Sequence, residues 1–185
     1  MINYYYITED RTIKKCGNQR SEYLLIKTPR IITFDMVPIA QQRPRTRVVQ
    51  PKGGGKAYAQ IYTVNSKHKE KLLQMVVKQS IFEEATFAYA LACYTPPKSW
   101  SQTKKEKAYG THKVTKPDGT NILKFYEDLL EGLFMPKDQY LNPTMIERLY
   151  STTNMIAFVT VPTRYVTYNI PKIVKEYFLG TLILE

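Results

Sequence analysis

The sequence predicts an α+β fold: a small mixed β-sheet with two main helices packed on it. Three observations carry this reading. Residues 30–37 and 86–94 are apolar and rich in β-branched or aromatic side chains, as strands require. Residues 66–79 and 120–130 carry apolar residues at helical spacing. Residues 145–151 and 155–161 read as two further strands forming a hairpin through Thr152, Thr153 and Asn154.

Taken in order, residues 1–30 are polar with scattered tyrosines and yield at most a short strand at 22–26. The strand at 30–37 ends at Pro38, which cannot donate to a ladder. A basic extended segment follows, residues 39–47. Gly53, Gly54 and Gly55 mark a hairpin tip, so residues 46–49 and 57–62 pair as a ribbon. No GK[ST] follows those glycines, which excludes a phosphate-binding loop. Asn65 or Ser66 caps the first helix, with Leu72, Leu73, Val76 and Val77 on one face and lysines mostly elsewhere. Pro96 and Pro97 stop the strand at 86–94, and residues 98–117 are lysine-rich without apolar periodicity. The second helix buries Ile122, Leu123, Tyr126, Leu129 and Leu130, and Gly132 stands at its C-terminal cap. A short helix at 171–178 and a terminal apolar tail complete the chain.

Composition narrows the chemistry. The net charge is +11 and the pI about 9.5, which suits a polyanionic partner because phosphate contacts release condensed counterions. Cys16 and Cys93 form no CxxC pair, and the histidines are only His68 and His112, so a zinc site is excluded. Any metal would be held by oxygen ligands, favouring Mg²⁺ or Mn²⁺. The longest apolar runs are too short to span a bilayer, and the N-terminus lacks a signal-peptide pattern, so a cytoplasmic protein without membrane contact is expected.

Two acids stand out, Asp118 and Asp138. A metal-dependent nuclease needs carboxylates converging on one or two ions. By spacing alone, Lys116-Pro-Asp-Gly-Thr120 reads rather as a β-turn, with Pro, Asp and Gly in favoured positions. Arg43, Arg45 and Arg47 alternate, so on an extended chain they share a face and can follow a phosphate backbone. Lys104, Lys105, His112, Lys113 and Lys116 extend that candidate DNA-binding surface, against the plain alternative of solvated loop residues. Trp100 and Tyr109 could stack on bases, but such aromatics more often anchor a loop.

The stretch from Lys116 to Asp138, KPDGTNILKFYEDLLEGLFMPKD, resembles the signature of RusA-like crossover-junction endodeoxyribonucleases, approximately KPDxDNLxKxxxDAL followed by a DD pair. Residues 37–45 resemble the family's PVPxxRPR element, and Tyr62-Thr63 its YTP element. Residues 97–101 and His112 resemble the PKSWS and HTxKPD pieces of phage-borne members. These pieces occur in family order over about residues 31–161. The resemblance implies a RusA-like nuclease domain at 31–162, with an N-terminal extension at 1–30 and a C-terminal extension at 163–185.

It also implies roles. Asp118 and Asp138 match metal-binding acids, and Lys124 matches a helical lysine thought to act near the scissile phosphate. These three are the expected catalytic residues. Asn121 and Asp128 match recurring positions without a derivable role. The chain departs from the pattern at Thr120, where the second acid of DxD is expected, and at Lys137, where the first of DD is expected. Thr120 offers a metal a neutral oxygen and no charge, so metal affinity and catalysis should fall.

The expected function is Mg²⁺-dependent cleavage of Holliday junctions or other branched DNA by a homodimer. A catalytically impaired protein that binds branched DNA is the alternative. A weaker third reading, from charge alone, is an RNA- or nucleoprotein-associated component.

Overall fold

The computed structural model describes residues 1–16, 29–42, 45–62, 66–78, 81 and 83–180. The strands are β1 (Ile2–Ile7), β2 (Ile13–Lys15), β3 (Arg30–Phe34), β4 (Arg45–Val49), β5 (Tyr58–Tyr62), β6 (Thr86–Tyr94), β7 (Leu141–Tyr150) and β8 (Met155–Pro162). The helices are α1 (Ser66–Leu73), α2 (Gln102–Ala108), α3 (Gly119–Leu130) and α4 (Ile170–Leu179). Six strands form one sheet in the order β2-β1-β3-β8-β6-β7, with β6 and β7 parallel and every other pairing antiparallel. β4 and β5 form the separate ribbon expected from the glycine tip. The mixed α+β architecture therefore holds.

β6 is buried at every position. A strand apolar on both faces belongs in a sheet interior, and this corrects the expected hairpin. β7 and β8 are not neighbours, because β6 lies between them. Their connection passes over the end of β6, where Ser151 N donates to Tyr94 O and Thr95 N donates to the Asn154 side chain.

The alternation along β6 shapes the two faces. Ala88, Ala90 and Ala92 point to one side, and Phe87, Tyr89 and Leu91 to the other. The small side receives α3, whose Ile122, Phe125, Tyr126, Leu129 and Leu130 are buried. Each such side chain contributes about 1.5–3 kcal/mol when fully buried. Tyr126 meets Phe34 at 5.3 Å between ring centroids. Leu72 and Val76 close the same layer, while Leu73 and Val77 stay largely exposed. The large side is covered by α4 through Ile170, Val174 and Leu179.

Several local expectations need correction. The first helix ends at Leu73 rather than 79. The lysine-rich stretch at 98–117, which shows no apolar periodicity and predicts no helix, contains α2. Residues from both chain ends join the main body: β1 pairs with β3, and α4 packs on the sheet. The expected strand at 22–26, Arg43 and the tail at 181–185 lie outside the described residues. No helix among those described is long and apolar enough to cross a membrane.

Candidate functional site

Asp118 is the N-cap of α3, and its side chain accepts from Thr120 N at 3.3 Å. The Pro-Asp-Gly segment is thus a helix start rather than an isolated turn. An aspartate fits there because it satisfies an orphan N–H and its charge favours the helix N-terminus. Gly119 lies close against β7: a Cβ there would stand in van der Waals contact, 3.4 Å from Arg148 Nε and Ile146 Cγ2. At the other end, Gly132 adopts φ 71° and its N–H donates to Met135 O, as expected of a residue just past a helix.

Two cations hold the loop leading to Asp118. Arg148 Nη1 donates to Thr115 O at 3.0 Å and to Pro117 O at 2.6 Å. Lys113 Nζ donates to Thr115 O and Oγ1, both at 2.8 Å, and to Lys116 O. Lys113 is 8% exposed and lies 4.9 Å from the Tyr94 ring. Burial, with Arg148 nearby, lowers its pKa from the ordinary lysine value. This corrects the expectation that Lys113 faces DNA: its ammonium is spent on loop carbonyls. Lys116 and His112 are exposed.

The segment after β3 is strapped along α3. Gln41 N donates to Asn121 O at 2.8 Å, and Gln41 Nε2 donates to Asp128 Oδ2 at 2.9 Å. Ile39 N donates to Tyr126 Oη at 3.3 Å. Between strap and loop runs a groove of about 730 Å³, lined by Ile39, Ala40, Gln42, Lys116, Pro117, Asp118 and Asn121. Asp118, Thr120, Asn121 and Lys124 are all exposed. Sequence reasoning gave Gln41 no part and Asp128 no role. Their contact spans 87 positions, which no local pattern reports.

Asp118 and Asp138 enter the fold on different elements. Asp118 sits at the α3 N-terminus beside Ile146 and Arg148 of β7, whereas Asp138 opens the short turn that leads into the start of β7. Asp138 lies within electrostatic reach of Glu127. Glu127 is nine residues beyond Asp118 in sequence, about 13 Å along a helix. Burial raises the Glu127 pKa, Asp128 and Asp138 raise it further, and Lys124 opposes them. Among the described residues, no three His, Cys, Asp or Glu side chains form a group able to hold a metal ion. One carboxylate with neighbouring neutral oxygens still suits Mg²⁺, which commonly takes one or two carboxylates and completes its shell with water and phosphate.

The remaining expected contacts divide. Arg45 and Arg47 are exposed on β4, and Arg47 Nε donates to Gln60 Oε1 at 2.9 Å. Lys104 lies on α2 with Nζ 4.4 Å from the Trp100 ring, and Lys105 is half-buried. Trp100 packs against Tyr150 at 5.4 Å, so it anchors α2 to the sheet.

Residues 35–161 match the family model described as endodeoxyribonuclease RusA. No curated protein and no solved structure matched the chain. The match covers well over half the sequence and spans the strap, the groove, α3 and the central strands, so the chain belongs to the RusA endodeoxyribonuclease family.

Proposed function

We propose that this chain is a divalent-metal-dependent endonuclease that resolves four-way or otherwise branched DNA, with a metal site built on Asp118 and short of one carboxylate. The observation that carries the reading is an exposed Asp118 on a rigid helix cap, at a groove bordered by Lys116 and the strap. Asp118 supplies the charged oxygen for Mg²⁺ or Mn²⁺, and Thr120 and Asn121 supply neutral ones. When bound, such an ion lowers the pKa of water and stabilises the leaving oxygen. Lys124, less than two turns along α3, offers its ammonium to the scissile phosphate. Arg45, Arg47, Lys104, Lys105, His112 and Lys116 provide phosphate contacts, and Arg43 belongs to the same basic run. Asp138 is the second acid of the site, supplied within the subunit or across a homodimer.

The test uses labelled four-way junctions with Mg²⁺ or Mn²⁺. Paired nicks that disappear in Asp118→Asn are expected, with a loss of at least about a hundredfold. Absence of nicks above that control with either metal sinks the enzyme reading. The second reading, binding without cutting, is favoured by Thr120 and by the lack of a three-acid group among the described residues. Thr120→Asp separates the two: a large gain of cutting marks the natural protein as impaired. A junction affinity no greater than that for linear duplex at physiological salt counts against junction recognition altogether.

A further inference from the structure

Helix α2 has little packing to make it a helix: only Ala108, partly buried, touches the core. None of its residues is buried. In proteins most helical stability comes from burying an apolar face, and seven residues alone are far too few in water. Yet α2 is firmly mounted. Ser101 caps it by accepting from Lys104 N at 3.3 Å. Trp100 fixes its start on Tyr150. Past its end, Gly110 N donates to Tyr150 O at 2.9 Å, Tyr150 N to Thr111 O at 3.0 Å, and Lys113 N to Arg148 O at 2.7 Å. This pairing covers the free edge of β7 and places α2 on the strand whose Arg148 also holds Pro117.

The charge on this mount is one-sided. Residues 98–116 carry six lysines and one acid, Glu106, which accepts from Gln102 at 2.8 Å. Among the described residues no α2 lysine forms an ion pair. Lysine-rich α1 differs, because it buries Leu72 into the core and so has a structural purpose.

We infer that α2 is a clamp for one duplex arm of the DNA substrate, with Lys104, Lys105 and Lys107 on its phosphate backbone. This deepens the proposed function and rests on it. A helix of this length runs about 10 Å. Duplex DNA carries one charge per roughly 1.7 Å of axis, so about six phosphates lie within reach. Three lysines can engage two or three of them. Phosphate contacts carry no sequence or crossover information, so α2 should strengthen junction and linear duplex alike.

The test measures full-chain binding to a four-way junction and to linear duplex in Ca²⁺, over about 50–200 mM salt. The variants are K104Q/K105Q/K107Q, its charge-preserving counterpart K104R/K105R/K107R, and the matched α1 control K67Q/K69Q/K71Q. The glutamine variant in α2 should lose about tenfold or more in affinity on both DNAs, and its log–log salt slope should shrink by roughly 2. The arginine variant should bind like the natural chain, and the α1 variant should lose less than about a third as much. Equal losses from α1 and α2 would reduce the effect to net charge and overturn the clamp. A loss confined to the junction would also overturn it, since α2 would then touch the crossover. Failure of the natural chain to bind either DNA sinks the underlying functional reading, and the clamp with it.

Discussion

The two faces of the sheet handle charge in opposite ways. On the α4 face the charges are matched. Glu147 accepts from the buried Tyr89 hydroxyl at 3.2 Å and from Lys175 Nζ at 3.0 Å, tying α4 to β7. A groove of about 600 Å³ lies there too, beside residues 11–13, but its charged groups are engaged. Lys172 lies 3.8 Å from Glu176, and Arg11 sits over the Tyr168 ring at 5.8 Å. On the α3 face Asp118 and the α2 lysines form no ion pair among the described residues. Unmatched charge is destabilising or neutral for the fold, and the proposed function gives this face a ligand that supplies the match. On that proposal the same strands carry a structural side and a working side.

The largest effect expected from this asymmetry concerns the acids of the working side. Asp118→Asn and Asp138→Asn should each abolish nicking alone. If the acids meet across a homodimer, mixing the two inactive proteins with exchange of subunits rebuilds one intact site per dimer. Nicking of single strands should then recover substantially. A mixture as inactive as its components would place both acids in the same subunit or remove Asp138 from the site.

The structural side should respond in stability instead. Glu147→Ala leaves the Tyr89 hydroxyl without its acceptor and Lys175 without its carboxylate. The cost should be about 2–4 kcal/mol, read from denaturant unfolding. Junction binding, measured well below the transition, should stay within twofold of the natural chain. A matching loss of binding in folded protein would break the division between faces.

The strap lies between these extremes. Tyr126→Phe removes the acceptor for Ile39 N, and Gln41→Ala removes the donor to Asp128. Each should cost about 1 kcal/mol of stability. Gln41→Glu sets one carboxylate against another and should be worse than Gln41→Ala. If all three leave both stability and cutting untouched, the strap does not fix the groove.

How far these features could be read in advance follows from their physics. β6, α3 and the β4–β5 ribbon were legible because periodicity and a glycine tip are local signals. Strand order was not, since the turn at Thr152–Asn154 fits a hairpin equally well, and only the two-sided burial of β6 places it between β7 and β8. β1 was missed because Tyr4, Tyr5 and Tyr6 show no alternation, although Tyr4 and Tyr5 pack on opposite faces. α2 was missed because it has no apolar stripe to find. Asp118, Thr120 and Lys124 were legible as a motif, but the position of Asp138 relative to it was not. Asp118 caps α3 and Asp138 opens the turn before β7, so their relation depends on how α3 is set against β7, which no local pattern reports. Lys113 looked like any loop lysine because carbonyls that bind it leave no mark in sequence.

The smallest effect belongs to Glu127. Its burial, with Asp128 and Asp138 nearby, raises its folded-state pKa above the ordinary glutamate value. The folded chain therefore holds a proton there more tightly than the unfolded chain does. Stability from this group is fully present below the unfolded pKa of about 4.3 and is lost as pH rises through the raised folded value. Glu127→Gln keeps the shape and removes the charge. It should raise stability at pH 7 by less than about 1 kcal/mol, and the gain should vanish below about pH 4. Thermal unfolding across pH 3.5–8 checks both parts. A variant less stable than the natural chain at pH 7 would mean that the Glu127 charge is matched after all, by Lys124, and that the unmatched acids of the α3 face are confined to the end that carries Asp118.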